Sequence, residues 1–150
     1  MKSLLMVCQG NICRSPMAEG FFSHELKKRN IPITVSSAGL NAVVDFPPET
    51  YASTVMSHHG IDISKHRARQ ITATIIQQSD LILVMTLNQR NALIQNFFQA
   101  KGKTYLLGHW RGFEINDPLQ LSSAVFENVF QQITLAWQDW ESRILECAAV

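Results

Sequence analysis

The chain has 150 residues, a hydrophobic fraction of 46%, a mean hydropathy near zero and a formal net charge of +1. These values predict a single globular domain over residues 1–150, large enough for a three-layer core. The near-neutral charge gives no basis for nucleic-acid or membrane-surface binding, and no apolar run approaches the ~20 residues of a membrane span. Three cysteines do not indicate a disulfide framework, and the segment before the first motif is too short for a signal peptide. We therefore expect a cytoplasmic protein, in a compartment that keeps thiols reduced.

Apolar runs alternate with helical patterns along the chain, which predicts an α/β fold with a parallel sheet. Four strands are expected, at Lys2–Val7, Ile33–Ser37, Leu81–Met85 and Thr104–Leu107. Five helices are expected: Pro16 to about Arg29, Pro47-Pro48 to a stop at Gly60, Thr72–Gln78, a Thr86 cap towards Phe98, and a cap at Ser122 or Ser123 through Ile144. The predicted architecture is a doubly wound four-stranded sheet with helices on both faces. Ligands of such sheets bind at the carboxyl ends of the strands.

The first strand runs directly into the segment Cys8-Gln9-Gly10-Asn11-Ile12-Cys13-Arg14-Ser15, a C-x5-R-S pattern that Pro16 follows. A loop between a strand and a helix N-terminus can turn its backbone N–H groups inward, and the helix adds partial positive charge. Such a field favours the thiolate, the attacking form of a cysteine. Arg14 offers a planar fork of donors to two phosphoryl oxygens, and Ser15 can donate to the sulfur. The pattern predicts a cradle for a tetrahedral oxyanion such as phosphate, with Cys8 as nucleophile. The alternative is a plain turn with a buried cysteine.

Asp117 lies in the loop after the fourth strand, which ends at the same edge of the predicted sheet as the Cys8 loop. Departure of a leaving group from a phosphate ester requires a proton on its oxygen, and Asp117 is a candidate general acid at this edge of the sheet. The same carboxylate can later take a proton from the water that hydrolyses a phosphocysteine. Trp110, in the loop leading to Asp117, is expected to border the cleft. Asp-Pro is also a common turn dipeptide, so a structural role is the alternative.

The segment from Val7 to Glu19 resembles the signature of the low-molecular-weight protein tyrosine phosphatases. Further landmarks follow in that family's order: Ser36-Ser37-Ala38-Gly39, His59-Gly60-Ile61, His66-Arg67-Ala68-Arg69 and Asp117-Pro118. The resemblance implies the flavodoxin-like phosphotyrosine phosphatase I fold and hydrolysis of phosphotyrosine through a phosphocysteine, without metal or cofactor. It also implies a phosphotyrosine protein as substrate, with a tyrosine kinase as one candidate.

The resemblance assigns supporting roles as well. His66 matches a histidine that hydrogen-bonds the loop asparagine, here Asn11, and Ser37 matches a serine that braces the loop. Cys13 matches a cysteine that forms a reversible disulfide with the nucleophile, which would make the site redox-sensitive; the alternative is a small packing residue. Arg67 and Arg69 are expected to be solvated charges.

Two stretches depart from the family pattern. Members often carry aromatic residues directly after Asp-Pro, where this chain has Leu119 and Gln120, and another in the loop after Gly39, where Val43 is the nearest match. We expect a cleft wall of Val43, Phe46, Trp110 and Leu119. Because these aromatic residues are missing, we expect weak binding of isolated phosphotyrosine.

The C-x5-R-S loop also leaves three alternative functions. Arsenate reductases of this fold need two further cysteines in mid-chain, and none lies between Cys13 and Cys147. Arginine phosphatases of this fold carry threonine where this chain has Ile12. A non-catalytic phosphate-binding module is disfavoured because Cys8, Arg14 and Asp117 are all present.

Overall fold

Four strands form one parallel sheet in the computed structural model, which describes residues 1–148. They are β1 (Ser3–Cys8), β2 (Thr34–Gly39), β3 (Leu81–Val84) and β4 (Thr104–Leu106), in the spatial order β2-β1-β3-β4. Every neighbouring pair is parallel. The predicted fold class is therefore confirmed.

Five helices cover the two faces of the sheet: α1 (Arg14–Lys28), α2 (Thr50–His58), α3 (Ala73–Gln78), α4 (Leu87–Asn96) and α5 (Ser123–Ala148). Side chains alternate along β1, so Leu4 and Met6 join the core under α1, α2 and α5. Leu5 and Val7 join the opposite core, which contains Ile76 of α3 together with residues of α4. Strands buried on both faces read as continuous apolar runs, which explains why β1 and β3 were recognisable in the sequence.

Several element boundaries differ from the predicted ones. Helix α1 begins at Arg14, two residues earlier than predicted, inside the loop motif. Helix α2 begins only at Thr50, because the Glu49 carboxylate accepts a hydrogen bond from the Tyr51 N–H at 2.8 Å and caps it. Helix α4 ends at Asn96, and a 3₁₀ turn at Phe98–Ala100 follows. None of the helices described for residues 1–148 has the length and apolarity needed to cross a membrane.

The sheet brings the loop motif and the acidic loop to one edge. β1 is central, and Cys8, its last residue, pairs with Gly39 at the end of β2. After β4 the chain returns towards β3, where the Ile115 N–H donates to the Met85 carbonyl at 3.0 Å. This return places Asp117 beside the carboxyl end of β1, as the topology predicts.

Candidate active site

The loop between β1 and α1 holds its carbonyl groups outward. All six carbonyl oxygens of residues 8–13 accept hydrogen bonds at 2.7–3.2 Å from groups beyond the loop. The donors, in chain order of the acceptors, are the N–H groups of Leu40, Asn41 and Val43, Nε2 of His66, and the N–H groups of Glu49 and Met17. A trans peptide places its C=O and N–H on opposite sides. The N–H groups of residues 9–14 therefore face the other way, towards Cys8 and the cleft above it.

Cys8 lies at the floor of a cleft of about 170 Å³, and only 2% of the residue is exposed. Its Sγ accepts from the Asn11 N–H at 3.3 Å and lies 2.9 Å from the Ser15 Oγ. The cleft is lined by Cys8, Gln9, Gly10, Ile12, Cys13, Arg14, Asn41, Val43, Asp117 and Leu119. Most of this lining is the predicted loop, and Asn41 is the residue that sequence reasoning did not single out.

Arg14 is buried beside this thiol, and only part of its guanidinium is hydrogen-bonded. Its side chain is 5% exposed, and Nη1 donates to the Ile115 carbonyl at 2.9 Å. Nη2 lies 3.8 Å from Oδ2 of Asp117, whereas Nε is buried without a hydrogen-bond partner in the described part of the chain. Buried donors are rarely left unpaired, so an orphaned guanidinium N–H at a cleft indicates an acceptor supplied by a ligand.

Asp117 sits at the mouth of the cleft, with its side chain 49% exposed. Oδ1 accepts from the Leu119 N–H at 3.0 Å, an Asx-type turn that fixes the carboxylate, and Oδ2 faces Arg14. One carboxylate oxygen therefore lies near the oxyanion cradle while the group stays open to water. That position suits a residue that exchanges protons with a leaving group and with solvent.

A directional hydrogen-bond chain runs through Asn11 to the sulfur. The Arg69 N–H donates to Asn11 Oδ1 at 2.9 Å, which fixes the orientation of the side-chain amide. Nδ2 then donates to Ser15 Oγ at 2.7 Å and to Ser37 Oγ at 2.9 Å. Because Ser15 Oγ accepts there, its own hydrogen is free to point at Cys8 Sγ. This series of hydrogen bonds therefore directs the Ser15 hydroxyl hydrogen at Cys8 Sγ, where it stabilises a thiolate.

Three further residues, His66, Glu19 and Arg69, make hydrogen bonds to Asn11 and Ser37. His66 Nε2 lies 2.7 Å from the Asn11 carbonyl, which only accepts, so Nε2 carries the proton, and Nδ1 lies 4.0 Å from Glu19 Oε1. Ser37 Oγ donates to the same Glu19 oxygen. Arg69 Nε donates to the Ser37 carbonyl at 2.8 Å. The expectation that Arg69 is only a solvated charge is therefore wrong, since both its backbone and its side chain support the loop.

Comparison with known proteins identifies the family. A model described as low molecular weight phosphotyrosine protein phosphatase matches residues 3–147. The chain belongs to this family. The low molecular weight protein-tyrosine-phosphatase Ptp of Acinetobacter johnsonii is 42% identical over 144 residues, which cover 95% of this chain and 98% of that relative. The phosphatase is accordingly a protein-tyrosine-phosphatase, and the predicted family and enzyme class are confirmed.

Solved structures agree with this assignment. The crystal structure of the tyrosine phosphatase AmsI of Erwinia amylovora superposes with a TM-score of 0.88 at 38% identity, covering 95% of this phosphatase and 92% of that chain. Vibrio vulnificus Wzb in complex with benzylphosphonate gives a TM-score of 0.89 at 35% identity, covering 95% and 98% respectively.

Two of the predicted wall residues lie elsewhere in the phosphatase. Val43 and Leu119 line the cleft, as expected. Phe46 is 58% exposed and outside the lining, because the turn from Val43 to Phe46 leaves its ring in solvent. Trp110 packs against Trp140 with ring centroids 5.4 Å apart, and the Arg143 guanidinium lies 3.4 Å from its centroid. The predictions for Phe46 and Trp110 are therefore wrong.

Cys13 differs chemically from Cys8 although both are buried and free. Burial raises the pKa of the Cys13 thiol to about 12, and the neighbouring Cys8, Asp117 and Glu49 groups add to the rise. Cys13 is therefore a protonated thiol at neutral pH and a poor nucleophile. Its reversible pairing with Cys8 stays a prediction.

Within residues 1–148 of the phosphatase, no group of three or more His, Cys, Asp or Glu side chains is arranged to hold a metal ion. The positive field at the cleft comes from Arg14, the loop N–H groups and the N-terminus of α1.

Proposed function

We propose that this phosphatase hydrolyses phosphotyrosine in proteins, and small aryl phosphates, through a phosphocysteine on Cys8. Arg14 binds the phosphoryl group, Asp117 acts as general acid and then general base, and no metal or cofactor takes part. The observation that carries the proposal is the buried, unpartnered Nε of Arg14 beside a thiol whose loop keeps every carbonyl turned away. We further propose a cytoplasmic location and a phosphotyrosine protein as substrate, a tyrosine kinase being one candidate.

In the first half-reaction, Cys8 Sγ attacks phosphorus. The S–P bond forms and the bond from phosphorus to the aryl oxygen breaks, with its electron pair going to that oxygen. Asp117 delivers a proton to the same oxygen, so that a neutral phenol leaves. Charge that spreads over the three equatorial oxygens meets the loop N–H groups and the Arg14 guanidinium.

In the second half-reaction, a water molecule attacks the phosphocysteine. Asp117, now a carboxylate, takes a proton from this water. The S–P bond breaks, its electron pair returns to sulfur as the thiolate, and inorganic phosphate leaves. The Ser15 hydroxyl donates a hydrogen bond to Cys8 Sγ and so stabilises the thiolate as a leaving group. Asn11 contributes to turnover by holding Ser15 in this orientation.

The cleft walls favour a flat apolar leaving group. Ile12, Val43 and Leu119 present aliphatic side chains around the thiol. An aryl ring gains contact with all three, and the one acidic residue of the lining, Asp117, is already assigned as general acid. The Vibrio vulnificus relative binds benzylphosphonate, an anion attached to a benzyl group. Both observations support an aryl substrate over phosphoarginine.

The decisive experiment measures phosphate release from a phosphotyrosine peptide, a phosphoarginine substrate and an aryl phosphate, with EDTA present. Wild type is compared with Cys8→Ser, Arg14→Lys and Asp117→Asn. We expect wild-type turnover of the two aryl substrates, none in Cys8→Ser, and a large loss in Arg14→Lys, because lysine cannot reproduce the fork of donors. Asp117→Asn should lower kcat by roughly 10²–10⁴ for poor leaving groups and less for activated ones.

Other outcomes separate the alternatives. Preference for phosphoarginine would keep the mechanism and change the substrate class. Full activity in Cys8→Ser would place the chemistry at another site, and loss of activity in EDTA would contradict a metal-free reaction.

A further inference from the structure

The segment 40–43, between β2 and the cleft wall, carries half of the outward hydrogen bonds of the phosphate-binding loop. The N–H groups of Leu40, Asn41 and Val43 donate to the carbonyls of residues 8, 9 and 10 at 2.9–3.0 Å. The position of this segment therefore sets the direction of three peptide groups of the loop. It forms no helix or strand of its own.

Gln70 holds this segment from the opposite side. Its Oε1 accepts from the Ala42 N–H at 2.9 Å, and its Nε2 donates to the Leu40 carbonyl at 2.8 Å. The Gln70 side-chain amide thus supplies one acceptor to the backbone of residue 42 and one donor to that of residue 40, as a neighbouring β-strand would. Ala42 is the one residue of 40–43 whose N–H points away from the phosphate-binding loop, and Gln70 takes it.

The backbone of Gln70 is itself fixed to the sheet edge. Gly39 and Gln70 form an isolated parallel bridge, in which the Gly39 N–H donates to the Arg69 carbonyl and the Ile71 N–H donates to the Gly39 carbonyl, both at 2.9 Å. The chain is crowded at this point, since a Cβ on Gly39 would lie 2.8 Å from the Gln9 carbonyl oxygen and 3.1 Å from Ala42. The side chain of Gln70, although exposed, therefore starts from an anchored position.

We propose that Gln70 is a positioning residue that sets the affinity of the phosphate-binding loop by holding segment 40–43. It touches neither substrate nor sulfur and acts through the N–H groups of that segment. Loss of its two hydrogen bonds lets 40–43 move away from the loop, and the loop N–H groups lose their common direction. The proposal rests on the proposed function, because it takes the Cys8 loop to be the phosphate site.

The test compares wild type with Gln70→Leu, which keeps the stem and removes both hydrogen bonds, and Gln70→Glu, which keeps the acceptor for Ala42 and loses the donor to Leu40. The Kd of inorganic phosphate is measured by calorimetry on the active enzyme. We expect an increase of about fivefold to twentyfold for Gln70→Leu and a smaller one for Gln70→Glu. KM for an aryl phosphate should rise with Kd, while kcat changes less.

Gln131→Leu is the matched control, because Gln131 is also exposed and its side-chain amide donates to the Glu127 carboxylate on the same helix α5, away from the cleft. Its Kd for phosphate should equal that of wild type. A Kd within twofold of wild type in both Gln70 variants would overturn the proposal, even if their Tm fell. Should Gln70→Leu fail to fold, Gln70→Glu decides, with Kd measured at about 1 M salt so that the added charge is screened. Phosphate binding needs no turnover, so this result is separate from the Cys8→Ser test of the mechanism.

Discussion

Replacing Asn11 tests how much the chain of hydrogen bonds behind Cys8 contributes to stability. Asn11 is fully buried, has a φ of 61°, and its side chain makes three hydrogen bonds, to Arg69, Ser15 and Ser37. At about 1 kcal/mol each, these bonds contribute about 3 kcal/mol. Alanine at a left-handed φ adds about 1 kcal/mol of strain, which glycine avoids. We expect Asn11→Ala to lower the free energy of unfolding by about 4 kcal/mol and Asn11→Gly by about 3 kcal/mol.

Urea unfolding of the two variants measures both numbers, and thermal unfolding should show a Tm lower by about 8–16 °C for Asn11→Ala. The control is Asn30, which is exposed, has a φ of 56°, and makes no side-chain hydrogen bond to any residue in 1–148. Asn30→Ala should lose only the strain of about 1 kcal/mol. If Asn11→Ala cost no more than Asn30→Ala, the network would contribute nothing measurable and the reasoning from its geometry would be refuted.

Three further predictions concern reactivity, pH and the cleft wall. Iodoacetate at pH 7, followed by peptide mass spectrometry, should modify Cys8 but not Cys13, because burial raises the pKa of the Cys13 thiol to about 12; equal labelling would contradict this. The Lys2 and Ser3 N–H groups donate to the Asp80 carboxylate at 2.7 and 3.0 Å and lower its pKa, so its contribution to stability is present above about pH 4 and lost on acidification. Asp80→Asn should therefore lower the free energy of unfolding by about 0.5–1 kcal/mol at pH 7, with the difference shrinking below about pH 4 in urea titrations. Leu119→Ala should raise KM for an aryl phosphate about fivefold through lost apolar contact, whereas Phe46→Ala should leave KM unchanged. A larger increase in KM for Phe46→Ala than for Leu119→Ala would contradict this assignment of the cleft wall.

Much of the fold was predictable because its signals are local. The apolar runs of β1 and β3 are typical of strands covered on both faces, and α5 shows a long apolar stripe. Boundaries set by single contacts were less predictable: the start of α2 depends on the Glu49 cap, and Met85 lies just beyond β3 although it continues the apolar run.

The loop that holds Cys8 was predictable because its residues are consecutive, while the groups behind it were only partly so. The resemblance located Ser37 and His66, but the roles of Arg69 and Gln70 arise from side chains and peptides that meet across 28 to 58 residues of sequence. No periodicity marks such pairs. Trp110 was misplaced for a similar reason, since its neighbours Trp140 and Arg143 belong to the far end of the chain.

The central position of β1 has a consequence for how the molecule opens. β1 is paired on both sides and its residues from Leu4 to Cys8 are at most 2% exposed, so its amide hydrogens should exchange only when the whole sheet separates. The segments 40–43 and 117–121 lack such cover and should exchange through local opening at lower free energy. The rim of the cleft can therefore open locally while the strand that carries the thiol stays closed, and loss of the structure around Cys8 on heating should coincide with global unfolding.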